Sequence, residues 1–186
     1  MKVGNFVSRA GEKLQFALEN FQFDVKGKIV ADFGSSTGGF VDALLQNGAK
    51  KVYSVDTSYG ELAWKLRNDP RVVVMERTNA MHVVLPEKMD LITVDTSWTK
   101  QEKVLPNVLN SLARNGHVIT LIKPHYEAPK NYLKKGRLPE DKQEEVLEDV
   151  KKKIENIGFE ILSVVMSPIE GEKGKNKEYL ALLKPF

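Results

Sequence analysis

The sequence predicts an α/β fold: a mostly parallel, seven-stranded sheet with a reversed last strand and helices on both faces. Three observations lead there. Strand-like and helix-like segments alternate from Ser8 to the last residues. A glycine-rich turn, Asp32 to Phe40 (DFGSSTGGF), joins the first strand to the helix behind it. The last two strands, Phe159 to Met166 and Tyr179 to Leu183, are separated only by the Gly-, Pro- and Lys-rich stretch Ser167 to Lys177. That stretch has no room for a crossover helix, so these strands must be antiparallel neighbours.

Each element has its own signal. Leu14, Ala17, Leu18 and Phe21 keep a helical spacing, which predicts an amphipathic helix over Ser8 to Asn20. Lys28 to Phe33 reads as a buried strand, Phe40 to Asn47 as a helix with Gly48 as its left-handed stop. Val52 to Asp56 is the second strand, and a short helix from Glu61 to about Asn68 ends at Asp69-Pro70. Val72 to Glu76 and Leu91 to Asp95 are strands three and four. Thr99-x-x-Glu102 is a capping-box pattern opening a helical turn. Pro106 then either kinks that helix or starts its main body, which runs to Arg114. Asn115-Gly116 turns into strand five, His117 to Lys123. A long helix follows over Glu140 to Asn156, acidic at its start, with Lys151 to Lys153 near its end and Gly158 as its stop.

With 186 residues the chain fits one domain, 1–186, in which 1–7 are a linker remnant or a short N-terminal extension. The absence of cysteine excludes disulfides and thiolate chemistry, and the three histidines form no close pair, so no metal centre is expected. Apolar runs are strand-sized and Met1 is not followed by a signal-peptide core, so a soluble, cytoplasmic protein without membrane contact is expected. A net charge of +3 says little about partners. Its distribution says more: basic residues gather in Lys130 to Arg137 and Lys173 to Lys177.

The Asp32–Phe40 turn lies where ligands bind in open parallel sheets, outside the carboxyl ends of the strands. Gly34 permits a sharp exit, and Gly38 and Gly39 let backbone approach a ligand. The spacing is not that of a pyrophosphate-binding turn. Asp56 ends strand two, where a carboxylate accepts ribose hydroxyls, and Asn79 follows strand three, near an adenine edge or simply capping a loop. A parallel sheet with one reversed final strand characterises Rossmann-like methyltransferases that use S-adenosylmethionine. The turn, the strand-two acid and the reversed last strand together favour S-adenosylmethionine over a nucleotide cofactor, and the predicted site is Gly34, Ser35, Ser36, Thr37, Gly38, Gly39, Phe40, Asp56, Thr57, Asn79 and Asp95.

Val7 to Leu14 (VSRAGEKL), DFGSSTGGF, Val52 to Arg67, RVVVMERTNA from Arg71 and Leu121 to Pro124 (LIKP) closely resemble the TlyA (haemolysin A-like) family. Members of that family are ribosomal RNA ribose 2'-O-methyltransferases related to the FtsJ-type enzymes, and the resemblance implies a cytidine ribose as the target. The resemblance runs from Val7 to Leu183 and implies a Lys-Asp-Lys-Glu tetrad on Lys13, Asp95, Lys123 and Glu178. Asp95 and Lys123 end parallel strands and Glu178 begins the reversed one, so all three belong to one sheet edge. Lys123 is the implied general base, which needs a neutral amine and a lowered pKa. Burial and Lys13 would lower it; Asp95 and Glu178 would raise it.

The family usually begins with a small S4-type RNA-binding domain, whereas Val7 here is the seventh residue. Either a piece of a longer protein or a naturally short relative is expected. Asp95-Thr96-Ser97-Trp98 also stands where the family has Asp-Val-Ser-Phe. The implied partner is ribosomal RNA or a ribosomal subunit, with Arg9, Lys13, Lys130, Lys134, Lys135, Arg137, Lys173, Lys175 and Lys177 as RNA-binding residues around the site. Two alternatives stay open: a methyltransferase for a small hydroxylated molecule, and a non-catalytic S-adenosylmethionine- or RNA-binding accessory protein. Oligomeric state is not legible.

Overall fold

Side-chain alternation along the central strands decides the layering. In β1 (Ile29–Phe33), Ala31 and Phe33 join one apolar cluster while Val30 joins the other. The same period of two separates Ile119 and Leu121 from Val118 and Ile122 in β5 (Leu112–Ile122), and Leu180 and Leu182 from Ala181 and Leu183 in β7 (Tyr179–Pro185). A sheet buried on both faces needs helices on both. The computed structural model describes residues 6–171 and 175–186. The sheet order is β3-β2-β1-β4-β5-β7-β6, with β2 at Lys51–Val55, β3 at Val72–Met75, β4 at Met89–Val94 and β6 at Phe159–Met166. β7 lies antiparallel between β5 and β6, and the other pairings are parallel.

Helices α1 (Ala10–Asn20), α2 (Gly39–Gln46) and α3 (Trp64–Arg67) cover one face through Leu14, Leu18, Val41, Leu44 and Leu66. Helices α4 (Gln101–Ser111) and α6 (Glu140–Ile157) cover the other through Val104, Leu105, Val108, Val150 and Ile154. Between β5 and α6 run α5 (Pro124–Glu127), unforeseen in the sequence, and a single 3₁₀ turn at Lys130–Tyr132. No described helix is long and apolar enough to cross a membrane.

Four expectations need correction. The helix over Glu61 to Asn68 shrinks to Trp64–Arg67. Pro106 neither kinks α4 nor begins it. It sits on the exposed side of an unbroken helix, where water can satisfy the carbonyl its missing N–H leaves free, while Val104, Leu105 and Val108 anchor the buried side. The capping box does not form either. Gln101 N–H donates instead to Glu127 Oε1 at 2.8 Å, a carboxylate brought from α5. Strand five also begins earlier, at Leu112, with a register break against β4 that passes from Met89–Leu112 to Leu91–His117. Gly116 fits beside that break because a Cβ there would stand 2.7 Å from the Met89 carbonyl.

Candidate active site

The carboxyl ends of β1, β2, β4 and β5 and the beginning of β7 open on one 710 Å³ cavity. Of the predicted cofactor residues, Gly34, Ser35, Ser36, Thr37, Gly39, Phe40, Asp56, Thr57, Asn79 and Asp95 line it. Gly38 does not. It adopts φ +99°, and a Cβ there would run into the Leu62 and Leu66 side chains. Gly39 likewise gives way to Ser8, Ala10 and Gly11 around the start of α1. The two glycines make room for the protein's own packing. Gly34 does provide the sharp exit, at φ +90°, and its Cα faces the Asp95 carbonyl so closely that a Cβ would lie 2.5 Å from it.

Asp56 fastens this side of the cavity. Its Oδ1 accepts from Ser58 N–H at 2.8 Å and Ser58 Oγ at 2.7 Å, while Oδ2 accepts from Ser36 N–H at 2.8 Å. Oδ1 is already met by two donors, whereas Oδ2, with one, keeps a lone pair for a further donor. Asn79 uses its side-chain oxygen on Met81 N–H at 2.9 Å, the loop-capping role that the sequence left open, and still lines the cavity.

Asp32 is the group the sequence did not single out. It is 1 % exposed at the cavity floor; Oδ1 accepts from Thr93 Oγ1 at 2.6 Å, and Oδ2 has no partner. Burial, reinforced by nearby Asp95 and Asp56, pushes its carboxyl up to about 7 despite the hydrogen bond from Thr93. The available signal was its place at the head of the glycine turn, directly before the strand ends.

The four tetrad positions arrive from four elements. Lys13 of α1 pairs with Glu178, just before β7, at 2.5 Å, with both side chains under a tenth exposed. Lys123, after β5, pairs with Asp95, after β4, at 2.5 Å. All four line the cavity. Burial lowers the Lys123 pKa most strongly, yet the charge and hydrogen bond of Asp95, with the charge of Glu178, outweigh it and hold the ammonium above the ordinary lysine value. The lowered pKa needed by a base is thus not present in this arrangement.

His125 lies two residues beyond Lys123, buried in the cavity lining with its ring 4.2 Å from that of Tyr126. Burial and the charges of Lys123 and Lys13 push it down to about 4, so the imidazole is neutral at physiological pH. Trp98, 78 % exposed, continues the ring series at 4.5 Å from Tyr126.

The predicted RNA-binding residues divide. Arg9 and Lys13 line the cavity, and Arg9 Nη2 donates to the Glu170 carbonyl at 3.0 Å. Lys13 is buried in its ion pair rather than on the surface. Lys134, Arg137, Lys175 and Lys177 line a separate cleft, because the chain folds back through Gly171 N–H to the Asn176 carbonyl at 2.9 Å and carries 175–177 toward α6. Lys130 and Lys135 line neither, and Lys173 lies outside the described residues. The basic stretches therefore do not ring one cavity as expected.

Comparison with known proteins agrees with this geometry. The FtsJ-like methyltransferase family matches residues 6–184. The chain is 42% identical over 182 residues to Hemolysin A of Brachyspira hyodysenteriae, covering 95% of this chain and 75% of the relative. It is 40% identical to the 16S/23S rRNA (cytidine-2'-O)-methyltransferase TlyA of Mycobacterium tuberculosis, over 96% of this chain and 68% of that protein. A solved structure from Streptococcus thermophilus that carries a hemolysin name superimposes with a TM-score of 0.94 at 37% identity, covering 99% of this chain and 68% of that one.

Proposed function

The chain belongs to the FtsJ-like methyltransferase family, and from that premise we propose that it transfers a methyl group from S-adenosylmethionine to a ribose 2'-hydroxyl of ribosomal RNA, on cytidine. The observation that carries the reading is the meeting of two lysine–carboxylate pairs, Lys13–Glu178 and Lys123–Asp95, in the cavity that also holds the Asp32–Phe40 turn and Asp56. The cytidine target expected from the resemblance is supported by the name of the M. tuberculosis relative.

The residues present fit S-adenosylmethionine. The cavity volume of 710 Å³ lies within the range of about 300–1,000 Å³ usual for small-ligand sites. Asp32 Oδ2, buried and unpartnered, suits an ammonium group, and a cation there would relieve the burial that raises its pKa. Asp56, at the end of β2, suits a ribose diol. When bound, the cofactor supplies an electrophilic methyl on a sulfonium, open to in-line attack by a hydroxyl without help from a metal.

Asp95 and Glu178 fix the two ammonium groups in place, so the acceptor hydroxyl meets a preorganised set of donors and acceptors. Lys123 takes the hydroxyl proton. Because Asp95 holds it charged in the resting site, the pair must loosen and the proton must leave before Lys123 acts as base. Activity should therefore rise with pH through an apparent lysine pKa. Incubation with S-adenosylmethionine and either ribosomal subunits or naked ribosomal RNA, followed by nucleoside mass spectrometry, is expected to yield 2'-O-methylcytidine. A base-methylated nucleoside, or methyl transfer to neither RNA, would overturn the reading.

A further inference from the structure

The two basic loops, apart in sequence, close on each other beside α6. In the first, Lys134 and Arg137 exchange backbone bonds at 2.9 and 3.0 Å around a tight turn. The second contains 175–177. Asn176, 3 % exposed, ties them together: its Oδ1 accepts from Leu138 N–H at 3.0 Å and its Nδ2 donates to the Gly136 carbonyl at 3.2 Å. Between the loops lies a cleft of 340 Å³.

Its charge is not self-compensated. Lys177 is neutralised by Glu140 at 2.5 Å, but among the described residues Lys134, Arg137 and Lys175 make no ion pair. Among the described residues Glu170 is the one remaining opposing carboxylate in the lining, which leaves two positive charges among them. Lys175 also occupies a left-handed conformation, φ +48°, that favours glycine or asparagine. Gln143, buried in the lining, donates through Nε2 to the Leu138 carbonyl at 3.0 Å, while its Oε1 has no partner. Buried acceptors are rarely left in that state. A ligand answering both features carries an anion for the rim and an N–H for the interior, and a nucleotide has both.

We propose that this cleft is a second nucleotide-binding site, holding one nucleotide of the RNA outside the methylated residue. Its phosphate meets Lys134, Arg137 and Lys175, and an amino or imino N–H of its base meets Gln143. The proposal rests on the RNA reading above. Continuity with the catalytic cavity supports it: Gly171 and Glu178 line that cavity, while Glu170, Lys175 and Asn176 of the same loop line the cleft. A strand leaving the cavity crosses this loop and enters the cleft.

The test is binding of a single-stranded ribosomal-RNA oligonucleotide to the full chain, by fluorescence anisotropy over a range of salt. For the Lys134→Ala/Arg137→Ala/Lys175→Ala variant, affinity should fall roughly tenfold and the log–log salt slope should shrink by about 0.7 for each phosphate released. Gln143→Leu should weaken binding about fivefold with the slope unchanged, its thermal melting serving as the check on folding. Cytidine monophosphate should compete better than inorganic phosphate. If the wild type binds the oligonucleotide and the triple variant binds it equally with the same slope, the cleft is not a site, although the RNA reading stands. If the wild type binds no RNA, the RNA reading falls and the cleft with it. Equal competition by inorganic phosphate would overturn the base contact and with it the nucleotide assignment.

Discussion

One wall of the catalytic cavity, at the ends of β1 and β2, is fastened by bonds between residues close in sequence. Ser58 bonds Asp56, Ser35 bonds the Asp32 carbonyl, and Ser36 N–H reaches Asp56 across twenty positions. The opposite wall joins Lys13 to Glu178, 165 positions apart, and Asp95 to Lys123. The first wall is built from several bonds within two neighbouring turns. The second exists only when α1, β4, β5 and β7 have all docked, and each of its charges depends on another for compensation. Binding and chemistry should therefore separate by wall.

The largest effect expected is on the far wall. Lys123→Ala should lower methyl transfer by roughly 10³- to 10⁴-fold, the upper range for loss of an acid–base group, while calorimetry shows S-adenosylmethionine binding intact. A fully active variant would remove Lys123 from the mechanism. Next is Asp32, at the junction of the walls. Its carboxyl is raised from 3.8 to about 7 by burial, so the folded state keeps a proton that the unfolded state releases. Stability supported by that proton is complete below about pH 4 and lost as pH rises to 7. Asp32→Asn, which retains an acceptor for Thr93, should gain on the wild type over that window by roughly 4 kcal/mol at most. Urea unfolding at pH 4 and pH 8 checks this; parallel pH profiles for both proteins would refute it. The smallest effect belongs to the near wall: Asp56→Ala should weaken S-adenosylmethionine about tenfold, roughly 1.4 kcal/mol, with transfer at saturating cofactor nearly unchanged. Loss of turnover at saturation, with affinity preserved, would erase the distinction between the walls.

Legibility in the sequence followed the same division. The glycine turn and Asp56 could be placed because each lies at a strand end with a recognisable local pattern, and Gly34 behaves as its position implied. The packing that Gly38 and Gly39 make room for was not legible, because it depends on Leu62, Leu66 and the start of α1. Thr99 looked like a cap, and Glu127 took that place from across the fold. The basic loops were visible as composition, but their departure from the catalytic cavity was not. It depends on Asn176 bonding Leu138 and Gly136.

By itself, the sequence determined the alternation of strands and helices, the reversed final strand and the edge on which charged residues collect. Hydrophobic period, turn chemistry and linker length are local and can be read along a chain. Only the tertiary structure decided the ionisation of that edge. Whether Lys123 is lowered by burial or raised by Asp95 and Glu178 is a competition among groups more than fifty residues apart at its widest, and the pairing with Asp95 prevails. Asp32 shows the same physics from the other side: an ordinary aspartate in the sequence has its carboxyl pushed up to about 7 because folding takes away its water and gives one of its oxygens no partner.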